Sequence, residues 1–348
     1  MKKGFRWFGF TLLVASVLLL AISCAGTGKT SQFQVPEEFA SIEKYSTPYH
    51  IQVDGKLHFY FMASEGMKID NPDSGGTKWG DSCLIVLPDG QTILIDTGFK
   101  EYSPLLTLNL MKLGVTRIDY FINSHPHGDH SAAFYQGDYY IPKNFEVGHY
   151  IYGGTYNSAW SVPALWKYLG ELYNVPVDAY KAGDTFTIGD LTFEVFNPLE
   201  SMFGQTFTTT PDVNNSSLVF KLKYGDFTAL FCGDLYAAQE SKLVEIYGDE
   251  LQADLLKIPH HGHNTSSTRV WANAVKPKIA VATGYVPIEQ QLYVNYTKNG
   301  AKVLFDYADG YIHVWTDGNG FEYETSRERT LTLYDKLEAG SPALEKLK

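Results

Sequence analysis

The segment Ser124-His125-Pro126-His127-Gly128-Asp129-His130 packs four metal-binding side chains into a pattern His-x-His-x-Asp-His. In extended backbone, side chains two residues apart share a face, so His125 and His127 can grip one ion together. Gly128 lets the chain turn and aim Asp129 and His130 at a neighbouring point. Imidazole combined with carboxylate suits zinc, manganese or iron(II) far better than calcium or magnesium. A histidine-rich surface loop would be the bland alternative. Against it, the chain has only 10 histidines and the apolar run 118–123 leads directly into the motif.

Other segments must hold that motif in place. Residues 83–87, the turn Pro88-Asp89-Gly90 and residues 92–98 read as a hairpin ending in Asp96. Its strands are apolar nearly throughout, as expected of a sheet covered on both faces. Leucines and Met111 at helical spacing predict a helix over 102–114, stopped by Gly114. Residues 134–180 are dense in tyrosine and tryptophan, which suits a mixture of core and a binding wall beside the motif. Further strands are predicted at 185–188, 191–196, 217–222 and 227–231, the last running into Gly233-Asp234. Another, 255–258, runs into Pro259-His260-His261-Gly262, with helices expected at 236–247 and 270–275. Strands at 279–282, 302–305 and 311–316 close the pattern, the last two joined by a turn at Asp309-Gly310.

The histidine motif resembles that of the metallo-β-lactamase superfamily. The resemblance implies an α/β fold, a four-layer αββα sandwich, with a two-metal site between the sheets. Segments Gly80-Asp81-Ser82, 88–98, Asn214 to Val219, Gly233-Asp234-Leu235, 257–267 and Asp309-Gly310 are more specifically similar to the hydrolase domain of competence-type DNA-uptake proteins. Teichoic-acid phosphorylcholine esterases carry the same general constellation. By resemblance, Asp234 bridges two divalent ions, zinc first, with manganese or iron as the other choices. His125 and His127 bind one ion; Asp129, His130 and one histidine of the 260–261 pair bind the other. His260, which ends its strand, is taken as that ligand, leaving His261 to face substrate as a candidate acid. Asp129 and His261 are thus the expected catalytic residues, and Asp96 and Asn215 support the ligands from behind. Many relatives have a further histidine before Gly-Asp, where this chain offers Asn214 and Asn215. A water activated between two ions, its pKa lowered toward about 7, would attack phosphorus or a carbonyl carbon. The relatives that share His-His-Gly imply a phosphoesterase or phosphodiesterase. An amide- or ester-cleaving lactamase or lactonase, or a binding lipoprotein that lost its chemistry, are the competing classes. Tyr156 and Trp160 are the aromatics expected nearest the substrate.

A hydrophobic content of 44% and a charged content of 19% are those of a globular chain with ample core. The net charge of −11 disfavours long nucleic acid as partner and fits a small phosphoester or an envelope-derived substrate. The basic head Lys2, Lys3, Arg6 and the apolar run 10–22 read as an export signal. That run is short for a membrane span. Leu20-Ala21-Ile22-Ser23-Cys24 resembles a bacterial lipoprotein box, which would lipidate Cys24 and tether an extracytoplasmic protein to the membrane. The expected division is a signal peptide over 1–23, a tether over 24–49, the hydrolase domain over 50–330 and a charged tail over 331–348. Cys83 and Cys232 lie in apolar runs and read as buried free thiols.

Overall fold

The computed structural model describes residues 33–63, 80–159, 165–284, 286–330, 334 and 336–337. Cys24 and Trp160 lie outside them. Strand Leu57–Phe61 shows why the apolar runs are unbroken: Leu57, Phe59 and Phe61 enter one core, while Tyr60 enters another. Its neighbours repeat the alternation a pleated strand imposes, with Cys83 and Ile85 set against Leu84 and Val86. Each face of the sheet is therefore apolar, and each is covered.

What covers them defines the architecture. An eight-stranded sheet runs in the order Glu322–Thr325, Ile312–Thr316, Leu57–Phe61, Cys83–Val86, Thr92–Ile95, Tyr120–Asn123, Tyr150–Tyr152, Val177–Ala179. A seven-stranded sheet runs Thr185–Ile188, Leu191–Asn197, Val219–Tyr224, Phe227–Phe231, Leu255–Lys257, Ile279–Ala282, Lys302–Phe305. The two share a core in which Phe59, Phe61 and Ile93 meet Phe193, Phe220 and Phe231. Helices Ser103–Leu113, Gly128–Tyr135 and Leu165–Tyr173 cover the far face of the first sheet through Leu106, Phe134 and Trp166. Helices Ala237–Tyr247, Arg269–Val275 and Gln290–Thr297 cover the second through Leu243, Trp271 and Tyr293. Helix, sheet, sheet, helix: the expected αββα sandwich is the observed fold.

Half of each sheet is parallel. Thr92–Ile95, Tyr120–Asn123 and Tyr150–Tyr152 run together, as do Phe227–Phe231, Leu255–Lys257 and Ile279–Ala282. The carboxyl ends of parallel strands are where an α/β sheet presents its loops, and the histidine and aspartate segments all follow such ends.

Three boundaries differ from expectation. Lys302–Phe305 and Ile312–Thr316 belong to different sheets, so Asp309-Gly310 is a crossover and not a hairpin turn. Asp309 accepts the backbone N–H of Phe305 at 2.8 Å, folding the one-turn helix Asp306–Asp309 between them. Residues 35–49 are packed where a tether was expected: Phe39 is buried, and the Tyr311 hydroxyl donates to the Tyr45 carbonyl at 2.7 Å. In the segment read as a charged tail, Leu337 is buried and the Tyr334 hydroxyl donates to the Ile288 carbonyl at 2.6 Å.

Candidate metal centre

Asp96 follows strand Thr92–Ile95 with φ of 54°, an unusual angle for a residue with a side chain. The turn aims its carboxylate at the neighbouring strand end, where it accepts from Asn123 Nδ2 at 3.0 Å and from the Ser124 amide at 2.8 Å. It also accepts from Ser124 Oγ at 2.6 Å and from His130 Nδ1 at 2.7 Å. Ser124 Oγ, its hydrogen committed to Asp96, is left to accept from His125 Nδ1 at 3.0 Å. Both imidazoles therefore carry their proton on Nδ1 and turn Nε2 forward, the arrangement that a metal-binding histidine needs. Trp166 Nε1 braces this scaffold by donating to Asn123 Oδ1 at 3.1 Å.

The forward nitrogens converge on Asp234. His130 Nε2 lies 3.1 Å from Asp234 Oδ1, and His125 Nε2 lies 3.9 Å from Oδ2 and 3.1 Å from His127 Nδ1. His261 Nε2 is 3.4 Å from both Asp129 Oδ2 and Asp234 Oδ2. His260 Nε2 is 3.8 Å from Asp234 Oδ2. All the sequence-predicted ligands thus meet at one place. His149 instead pairs with Asp178, and His58 with His313 and Asp54, away from the centre.

His130 Nε2 and Asp234 Oδ1 are buried and face each other across 3.1 Å. A positive charge between them, a proton or a cation, suits that position. Burial alone would lower the His130 pKa, but Asp234 and Asp96 outweigh it and hold it well above the usual value. Asp234 is the converse: burial would raise it, and His130, His261 and His260 hold it well below the usual carboxylate range. His125 and His127 are pushed down by burial and stand neutral, ready to donate a lone pair. A buried set of imidazoles and carboxylates of this kind could hold metal ions, and a divalent cation fits the donor set.

Sequence reading passed over a second tier. Asp81 lies behind both His130 and His261, with Oδ1 3.2 Å from His261 Nδ1. It accepts from the Thr283 hydroxyl and pairs with the buried amine of Lys257. Burial would raise the Asp81 pKa, yet Lys257 and His261 hold it low. A cavity of about 20 Å³ beside this pair, lined by Asp81, Asp96, Ser124 and Lys257, has room for one water. Gly80 makes the approach possible: at φ of +85°, any Cβ there would strike the Asp129 carbonyl oxygen at 1.6 Å. A lysine inside the apolar strand Leu255–Lys257 was the available signal.

The histidine pair needs a correction. His260 and His261 are consecutive residues with φ of 48° and 54°, a strain of about 1–3 kcal/mol each that functional sites tolerate. The left-handed pair reverses the chain, so the residue that ends the strand points toward the rim and the next one inward. His261 is fully buried and donates Nδ1–H to the Thr283 carbonyl at 3.0 Å. His260 is more exposed and its Nδ1 meets Thr265 Oγ1. The distances favour His261 in the ligand place given to His260 by sequence.

The remaining expected residues divide. Asn215 accepts the Tyr236 amide at 3.3 Å, bracing the turn after Asp234, while Asn214 is the one turned inward. Of the aromatics, Phe134, Tyr150, Tyr152 and Trp166 are buried core. Tyr156 is half-buried, its hydroxyl 3.4 Å from that of Tyr152, and the adjacent Asn157 donates to the Pro126 carbonyl at 2.9 Å. Thr268 caps the helix after the site, accepting from the Trp271 amide. Cys83 and Cys232 are buried free thiols, their pKa values pushed well up by burial.

Residues 76–283 match the model of the metallo-beta-lactamase superfamily. The chain belongs to this superfamily. Members are typically metal-dependent hydrolases. Competence protein ComA of Neisseria gonorrhoeae is 29% identical over 204 residues, 58% of this chain and 25% of the relative. ComE operon protein 3 of Bacillus subtilis is 26% identical over 240 residues, 63% of this chain and 28% of the relative. The chain thus spans about a quarter of the length of these relatives. Among solved structures, the metallo-β-lactamase fold protein YhfI from Bacillus subtilis aligns with 77% of this chain and 99% of its own. Its TM-score is 0.44 and its sequence identity 13%. Among the described residues, no helix is long and apolar enough to cross a membrane.

Proposed function

We propose that this superfamily member is an extracytoplasmic phosphoesterase that holds two divalent ions, zinc foremost, and cleaves small phosphodiesters. Asp129, His130, Asp234 and His261 would hold one ion, and His125 and His127, with Asp234, would hold the other. The observation that carries this reading is the buried convergence of His130, His261 and Asp129 on Asp234. Bound divalent ions would supply Lewis acidity and an activated water at neutral pH.

The chain's own residues do the rest. Asp96, Ser124 and the Thr283 carbonyl fix which ring nitrogens face forward. Asp81 and Lys257 keep a compensated charge pair behind them. His260, nearer the rim, would hand a proton to the leaving group. The His260-His261-Gly262 segment supports phosphoester over amide chemistry through the relatives that share it. The net charge of −11 supports a small substrate over long nucleic acid.

The test is hydrolysis of bis(p-nitrophenyl) phosphate, a phosphorylcholine ester, nitrocefin and duplex DNA by metal-loaded protein. Turnover of the small phosphoesters above the other two is expected. Cleavage of nitrocefin or long DNA alone would overturn the substrate class.

A further inference from the structure

Strand Phe227–Phe231 delivers Asp234 to the centre, and the chain then turns into helix Ala237–Tyr247. Between them Leu235 is buried in the core, while Tyr236 is half-buried at the rim. Three hydrogen bonds fix its backbone. The amide donates to Asn215 Oδ1 at 3.3 Å, and the carbonyl accepts from the Gln239 and Glu240 amides at 3.0 and 2.9 Å. Next along, the Ala237 amide donates to the Thr265 carbonyl at 2.9 Å, tying this turn to the loop after the histidine pair. The Tyr236 ring lies 4.9 Å from that of His260, and the His260 ring lies 5.1 Å from that of His263. All three are half-buried, so they form a row of rings along the rim. The middle ring reaches inward, with its Nε2 3.8 Å from Asp234 Oδ2.

We propose that Tyr236 is a specificity-determining residue, which favours phosphodiesters with a flat, aromatic leaving group over those with an alkyl one. This rests on the phosphodiesterase reading above, with His260 beside the leaving group. A leaving oxygen at His260 puts the atoms attached to it against the neighbours of that ring. Tyr236 is the larger and more apolar of those neighbours, and its fixed backbone holds the ring in place. Ring against ring gains more than buried area alone, so an aromatic group profits there where an alkyl group does not. The two ions and their ligands treat every phosphodiester alike; the choice among them falls to the rim.

The test compares two pairs of diesters on metal-loaded protein. p-Nitrophenylphosphorylcholine and glycerophosphorylcholine share the group that stays and differ in the one that leaves, nitrophenol or glycerol. Methyl and phenyl p-nitrophenyl phosphate share the leaving group and differ in the one that stays. Each is read by kcat/KM, or by its inhibition constant if it is not turned over. Tyr236→Ala should lower the preference for nitrophenyl over glyceryl by about three- to tenfold relative to wild type, a comparison in which intrinsic reactivity cancels. The methyl-to-phenyl ratio should move less than about twofold. Tyr236→Phe, which keeps the ring, should keep the preference. Tyr236→Leu, which keeps the bulk without the ring, should lose it, and serves if the alanine variant does not fold. An unchanged nitrophenyl-to-glyceryl ratio in the ring-free variants overturns the proposal, as does an equal shift in both pairs. Wild type that cleaves none of the four diesters would sink the phosphodiesterase reading itself, and the proposal with it.

Discussion

His130 Nε2 and Asp234 Oδ1 stand 3.1 Å apart, one from each sheet, and both are buried. His130 has spent its other nitrogen on Asp96. The contact is unfavourable in a neutral ring and favourable once a cation, or a proton, sits there. The site is therefore built to hold positive charge between the two sheets.

Removing the shared carboxylate should remove that charge. Asp234→Asn is expected to lower metal content toward zero and hydrolysis by about 100-fold or more, with the fold kept. Elemental analysis after dialysis and a thermal melt check both. A fully loaded, active variant would mean that Asp234 is not a ligand.

Asp96 acts one step back. Asp96→Asn keeps the shape but offers one acceptor where two oxygens now serve Asn123, Ser124 and His130. Metal affinity should fall about 10- to 100-fold, in the range seen for groups that orient ligands. A competition titration against a chelating dye reads it directly.

Stability should depend on pH through Glu240, far from the ligands in role. Burial pushes its pKa up to about 7 from 4.5, against the pull of the Thr268 and Ser267 amides. A carboxyl raised on folding stabilises the native state fully below the unfolded value and loses that contribution as pH rises through the folded one. Between about pH 4.5 and 7 the native state should lose roughly 3 kcal/mol from this group. Denaturant titrations across that window should show the slope, and Glu240→Gln should flatten it.

Cys24 is read as a lipidation site. Two or more acyl chains hold a protein firmly to a bilayer, one only marginally. Cys24→Ala should move the protein from the detergent phase to the aqueous phase in a phase-partition assay. Native protein already in the aqueous phase would refute the anchor.

Tyr156 and Trp160 are read as substrate-facing. An aromatic face over a quaternary ammonium is worth about 0.5–2 kcal/mol. Tyr156→Ala or Trp160→Ala should raise KM for a phosphorylcholine ester several-fold while leaving a plain nitrophenyl phosphodiester nearly unchanged. Equal rises for both would place these rings in the core's service.

The cluster of candidate ligands was legible because metal chemistry allows few residue types and the motif supplies them at short spacing. Asp96, Asp234 and the histidine pair each end an apolar strand, which sequence also displays. The order within the pair was not legible, since it turns on two successive left-handed residues that no local pattern announces. Asp81 and Lys257 were hidden for a similar reason: they meet only across two sheets. The Asp309-Gly310 crossover misled because apolar strands flanking a glycine turn look alike whether or not they pair. The aromatic stretch divided as packing demanded, with Trp166 taken into the core and put to work on Asn123.

Asp129 and His130 hang from one sheet, Asp234 and His261 from the other, so an ion held by all four would clasp the sandwich shut. Chelation and folding then become one equilibrium. Free metal at a thousand times its dissociation constant adds about 4 kcal/mol to the folded state, a large part of what a domain possesses. How long this protein survives heat or protease would then be set by the metal supply around it as much as by its own core.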